Sequence, residues 1–170
     1  MLRVNGSESF KDIVLRALQH LDLRAEYING NNVNLDPTIQ GNLGRVKTRA
    51  LLEGLISSGY LITIEQTGGR SECVPTYRNA AKTGSTVRWN PNQTLPSVPA
   101  CQCIYLGHEL CHSRQLILGQ ISPSEYYGGR SAQMRYELRT ITGEGAPPNA
   151  ITENDLRREH IPPHPMRTSL

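Results

Sequence analysis

The sequence has no apolar run approaching the roughly 20 residues that cross a bilayer, and its N-terminus lacks the apolar centre of a signal peptide. The expectation is therefore no membrane partner and no export by the general secretory route. Aromatic residues are scarce, with one Trp, one Phe and seven Tyr, and hydrophobic residues make up only 37% of the chain. A modest core with generous loops should follow, in keeping with 15 Gly and 11 Pro. There is no block of like charge. Lys and Arg outnumber Asp and Glu by 18 to 15, and the two signs alternate along the chain, so nothing demands a nucleic-acid partner. Cysteine is sparse as well. Cys73, Cys101, Cys103 and Cys111 are too few and too irregularly spaced for a disulfide framework. Cys101-Gln102-Cys103 lacks the two-residue gap of structural zinc knuckles, so reduced thiols, compatible with a cytosol, are the default expectation. With 170 residues, no repeat and no low-complexity tract, the chain reads most economically as one domain over 1–170, and as a monomer.

What the chain does have is Leu106-Gly107-His108-Glu109-Leu110-Cys111-His112, which contains His-Glu-x-x-His. Residues four apart share a helix face, so His108 and His112 can aim two imidazoles at one point. Zinc takes neutral imidazole nitrogens in a tetrahedral site, and one helix would already fix half of that site. Glu109 sits on a neighbouring part of the same surface. There it can act as a general base on a water activated by the metal, without being a ligand itself.

Around this stretch the pattern predicts an α+β fold, with a small antiparallel or mixed sheet packed on the motif helix. Phe10, Ile13, Val14, Ala17, Leu18 and Leu21 fall at helical spacing over 9–21, with Ser7 or Ser9 as cap, giving an N-terminal helical region within 1–25. Val33 and Leu35 mark a short strand in the polar stretch 27–42. A second helix is expected over 42–57, with Leu43, Val46, Ala50, Leu51 and Leu55 inward, Arg45, Lys47 and Arg49 on a solvated face, and Gly59 as C-cap. Strands are predicted over 60–67 and 85–90, separated by a polar connection. The stretch 83–90 is either an ordinary sheet strand or an edge offered to an extended peptide. The motif helix should span about 100–118 and a further helix about 131–141. Thr152 and Asp155 look like a capping pair, opening a closing segment over 152–170.

Two histidines need a third protein ligand. Glu137, 25 residues beyond His112 on a predicted helix, is the best placed. Glu125 and Glu144 compete from predicted loops, and Asp155 from a helix cap. The chain continues Ser113-Arg114-Gln115 after His112, which excludes the three-histidine metalloprotease arrangement. His160 and His164, isolated among prolines, read as surface histidines.

His108-Glu-Leu-Cys-His112, followed by Glu137-Leu-Arg-Thr-Ile-Thr-Gly143, resembles the zinc endopeptidases of the clostridial neurotoxin light chains. The short length, Ser85-Thr-Val-Arg-Trp-Asn-Pro91 and Thr152-Glu-Asn-Asp-Leu-Arg157 resemble more closely the small NleD-like and XopG-like effector proteases, which bacterial pathogens inject into host cells by type III secretion. The resemblance covers roughly residues 60–167. It implies a zincin-like endopeptidase delivered to the host cytoplasm, acting on an extended segment of a host signalling protein, with His108, His112 and Glu137 as zinc ligands and Glu109 as base. Tyr136 stands where the neurotoxins carry a second Glu, and Arg167-Thr-Ser-Leu170 lacks the phenol of their Arg-x-x-Tyr element. The donor for the developing oxyanion is thus open among Arg157, Arg167, Tyr126 and Tyr127. A zinc-holding interaction module without turnover is the alternative to an enzyme, and a metal-free interaction domain the third reading.

Overall fold

The computed structural model describes residues 1–41, 44–79, 81–94 and 100–170. Among them, β1 (Leu2–Asn5), β2 (Ala25–Ile28), β3 (Asn32–Leu35), β4 (Leu61–Gln66), β5 (Glu72–Arg78) and β6 (Ala81–Trp89) form one sheet in the order β2-β3-β1-β4-β6-β5. Pairing is parallel between β1, β4 and β6 and antiparallel elsewhere, so the sheet is mixed. The helices are α1 (Glu8–Leu21), α2 (Val46–Ser57), α3 (Gln102–Ile117), α4 (Pro123–Tyr126), α5 (Arg130–Thr142) and α6 (Glu153–Glu159). The fold is α+β, with helices packed against the sheet and α3, the motif helix, against β5 and β6.

Alternation along the strands explains the layering. Register places Leu2, Val4, Ile62, Ile64, Val87 and Cys73 on one face, all buried. On this face the Trp89 ring meets Phe10 of α1 with centroids 6.2 Å apart. Ser85 reaches the Ser113 hydroxyl of α3 at 2.6 Å, so a buried polar pair fixes how the motif helix lies on the sheet. Two glycines permit close approaches. A Cβ at Gly84 would overlap the carbonyl oxygen of Leu61, so β4 and β6 can run side by side there only without a side chain. A Cβ at Gly107 would press on Leu156, so this glycine lets α6 lie against the helix that bears His108.

Several elements follow the sequence pattern closely. Ser7 caps α1, and Thr152 and Asp155 form a reciprocal capping box on α6. Others do not. The N-terminal region carries β1 before its helix, β2 straddles the end of that region and the polar stretch after it, and the edge strand β5 was hidden in the polar connection before 85–90. β5 holds Pro75, which lacks an N–H and is tolerated because β5 pairs on one side only among the described residues. The described helix α2 starts at Val46, while Asn42 and Leu43 lie outside the described residues. Leu51 and Leu55 turn inward as expected, but Val46 and Ala50 face solvent, and Thr48 and Leu52 are buried in their place. The cause is a tertiary anchor: the Thr48 N–H and hydroxyl both donate to the Glu159 carboxylate, each at 2.8 Å. Arg45 is likewise not on a solvated face, since its guanidinium donates to the carbonyls of His20 and Leu21 at the end of α1. Gly59 is not the cap of α2, which ends in extended backbone at Ser58.

The expectation of reduced thiols fails at one pair. Cys101 is the extended cap residue of α3 and Cys103 lies in its first turn, which brings their Cα atoms to 5.2 Å, and the two are joined by a disulfide. Cys73 and Cys111 are free and buried. Among the described residues no helix is long and apolar enough to cross a membrane.

Candidate metal centre

Helical spacing does what it promised at the motif. His108 and His112 lie one turn apart on α3, and their Nε2 atoms are 3.0 Å apart. Across from them, α5 delivers Glu137, with Oε2 3.2 Å from His108 Nε2 and Oε1 3.4 Å from His112 Nε2. Two imidazoles and a carboxylate on a tetrahedral ion, with bonds of about 2.1 Å, sit about 3.4 Å from one another. The three side chains therefore fit a metal ion with little rearrangement, and the cluster could hold one.

Each imidazole is oriented from behind. His108 Nδ1 donates to Glu153 Oε2 at 2.8 Å, and His112 Nδ1 donates to the Thr140 hydroxyl at 3.1 Å. Donation from Nδ1 turns both Nε2 atoms toward the centre, the arrangement that supports metal-ligating histidines once Nε2 is deprotonated. Thr140 can in turn donate to Gln115 Oε1 or to the Tyr136 carbonyl, each at 3.1 Å. Glu153 is fully buried at the start of α6 and is shared, receiving Arg157 Nε at 2.6 Å and Arg167 Nη1 at 3.2 Å. The Tyr136 ring packs on His112 with centroids 4.3 Å apart.

The charges are strongly coupled. Burial opposes a charge on His108, but its bonds to Glu137 and Glu153 outweigh that and push its pKa up to about 10. Burial also works against the Glu137 carboxylate, yet His112 and His108 hold it far below the usual carboxylate range. Glu153, opposed by burial and held by His108 and Arg157, titrates at about 2. Glu109 is pushed the other way. Its burial raises the carboxyl pKa, and the neighbouring His108 and His112 offset only part of this.

A consequence for metal binding has a definite sign. Without metal, His108 keeps its proton up to pH about 10, and a ligand must give that proton up. Metal affinity is therefore expected to rise with pH by about tenfold per unit over pH 6 to 9. Isothermal titration with zinc in buffers of different ionisation enthalpy measures this directly, as close to one proton released per ion. A pH-independent affinity would rule out a charged His108 in the metal-free protein.

The centre opens on a cleft of about 1200 Å³, larger than a typical small-molecule pocket. Glu109 lines it, as do Arg167, Tyr126 and Tyr127. Arg157 does not; it is wholly buried behind Glu153, and its Nη1 donates to the Pro165 carbonyl at 3.0 Å. The Tyr126 hydroxyl is committed to the Cys73 carbonyl at 2.9 Å. Residues 68–73, which include the first two residues of β5, line the cleft along one stretch of chain. The strand at 83–90, in contrast, has neighbours on both sides, so among the described residues β5 and not β6 is the edge strand at this end of the sheet. The rival acids stand elsewhere: Glu125 pairs with Arg139 and Asp155 serves the α6 cap, while Glu144 lies exposed after α5.

Sequence reasoning missed Glu153 and Thr140. The only hint for Glu153 was Arg157 four residues on, a spacing that pairs charges along a helix. No known protein family, curated protein or solved structure matches the chain.

Proposed function

We propose that this protein is a zinc-dependent endopeptidase acting on an extended segment of a host protein. The observation that supports this best is the His108, His112 and Glu137 cluster opening on a large cleft that Glu109 also lines. Two nitrogens and one carboxylate suit zinc, and three protein ligands leave a coordination position open, as catalytic sites require. A zinc ion held there would supply Lewis-acid activation of water and of a peptide carbonyl.

The chain's own groups supply the rest. Glu109, close to but outside the ligand set, takes the proton of the attacking water and later passes it to the leaving amine. Its burial raises its affinity for a proton, which suits a group that must hold one between the two steps. Of the four donors weighed from the sequence, Arg167 is the cation that lines the cleft, and, held by Glu153, it would donate to the oxyanion of the tetrahedral intermediate. Arg157 acts at one remove, fixing the Glu153 carboxylate that orients both His108 and Arg167. The backbone of the 68–73 stretch binds an extended peptide without requiring a particular sequence.

The motif likeness to type III effector proteases supports delivery into a host cell cytoplasm and a signalling protein as substrate. The protein would work there as a monomer, without nucleic-acid or membrane partners. New protein N-termini in plant-cell and animal-cell lysates test the reading. Termini made by the wild-type protein and absent with Glu109→Ala are the expected result, and they would identify substrate and cleavage site together. If zinc binds and no terminus depends on Glu109, the reaction is disproved and a zinc-holding interaction module takes its place.

A further inference from the structure

We propose that Cys101, Cys103, His160 and His164 form a second metal site, one that takes zinc when the two thiols are reduced. The four residues come from two distant stretches. Cys101 and Cys103 open α3, His160 is the cap residue that ends α6, and His164 lies in the extended tail beyond it. Cys101 Sγ is 3.3 Å from His160 Nε2, and the ligand atoms of Cys101, Cys103 and His160 all lie within 4.8 Å of one another. Sulfur and nitrogen ligands of one tetrahedral zinc ion sit about 3.5 Å apart, so this separation is already that of a ligand pair.

His160 is oriented like a ligand. Its Nδ1 donates to the Pro162 carbonyl at 2.8 Å, which leaves the lone pair of Nε2 directed at the sulfur. The His164 ring packs against it with centroids 4.3 Å apart, and His164 Nε2 accepts a hydrogen bond from the Cys101 backbone N–H at 3.4 Å, a bond it would exchange for the metal in taking the fourth position. Two thiolates and two neutral imidazoles balance the ion's charge and match the donor preference of zinc over magnesium or calcium. Local spacing hides all of this, because Cys-x-Cys is an incomplete zinc motif until the fold brings in the two histidines.

The structure holds the pair as a disulfide, the state that competes with metal. Two molecules of a monothiol such as glutathione convert it. The first attacks one sulfur and breaks the Cys101–Cys103 bond, and the second releases oxidised glutathione, so two electrons pass to the protein sulfurs. Zinc then displaces one proton from each thiol. The reduced, metal-bound form ties residues 160–164 to the helix that carries His108 and His112. The same tail runs on to Arg167 and its bond to Glu153, so the second site clamps a segment that the first one uses.

Metal content and cobalt spectra of the full chain test this separately from any cleavage. After a phosphine reductant and zinc loading, two zinc ions per chain are expected, against one for the oxidised protein. His108→Ala/His112→Ala should keep one ion in the reduced state, and His160→Ala/His164→Ala should keep one as well. Cobalt(II) supplies the decisive signature, a near-ultraviolet thiolate-to-metal charge-transfer band, since His108, His112 and Glu137 offer no sulfur. The band should be present in reduced wild type and in His108→Ala/His112→Ala, and lost in Cys101→Ser/Cys103→Ser. If the Cys variant does not fold, reduced wild type alone decides. A folded, reduced wild-type protein that binds no more metal than the oxidised one, or shows no thiolate band, overturns the proposal.

Discussion

Glu109→Gln is expected to keep the metal and lower turnover on the order of a thousandfold, while His112→Ala is expected to lose the metal. The contrast follows from where the two side chains stand. Glutamine matches glutamate in shape, so the nearly buried pocket of Glu109 is not emptied, but an amide cannot take up a proton at neutral pH. Nothing in the candidate ligand cluster changes, because Glu109 is not among the three residues that could hold the ion. His112→Ala removes one of those three and leaves the Thr140 hydroxyl without its imidazole donor. Metal analysis beside cleavage of a substrate found in lysates measures both halves. Zinc at full stoichiometry in His112→Ala would refute the ligand assignment, and undiminished turnover in Glu109→Gln would refute the general base.

How much of this could be seen in the chain depends on the distance over which each feature is encoded. The motif helix, its two histidines and the caps at Ser7 and Thr152 are local patterns, and the structure realises them at the expected places. Glu137 was legible as the best of several acids, because it was predicted on a helix and Glu125 and Glu144 in loops, although Glu125 in fact lies in the short helix α4. What stayed hidden is what tertiary contact decides. β5 has mixed polarity and a proline, so neither alternation nor propensity marks it, and only its pairing with β6 makes it a strand. Thr48 turns inward because Glu159, more than a hundred residues away, accepts from it. His160 and His164 looked isolated because their cysteine neighbours lie about sixty residues earlier in the chain. Arg157 was readable as a cation near the site, but its complete burial behind Glu153 was not.

The second large effect is expected at that buried carboxylate. Glu153→Ala should destabilise the protein by roughly 3–5 kcal/mol and weaken metal binding by about 10–100-fold. Glu153 lies between three cationic or donor groups, at 2.6 Å from Arg157, 2.8 Å from His108 and 3.2 Å from Arg167. Alanine takes the negative charge away from a guanidinium that has no access to water, and it removes the acceptor that fixes the His108 ring. Glu153→Gln keeps the volume and an acceptor oxygen, so its stability loss should be smaller. The pH dependence separates a charge effect from a packing effect. The carboxyl pKa is lowered from 4.5 to about 2 in the fold, so its contribution is fully present above pH 4.5 and is lost as the pH falls toward 2. The stability gap between wild type and Glu153→Ala should therefore narrow across that window, as followed by urea unfolding in the metal-free state. A gap that stays constant from pH 6 to 2 would mean that Glu153 matters for the space it fills, and the shared-carboxylate account of His108, Arg157 and Arg167 would fall.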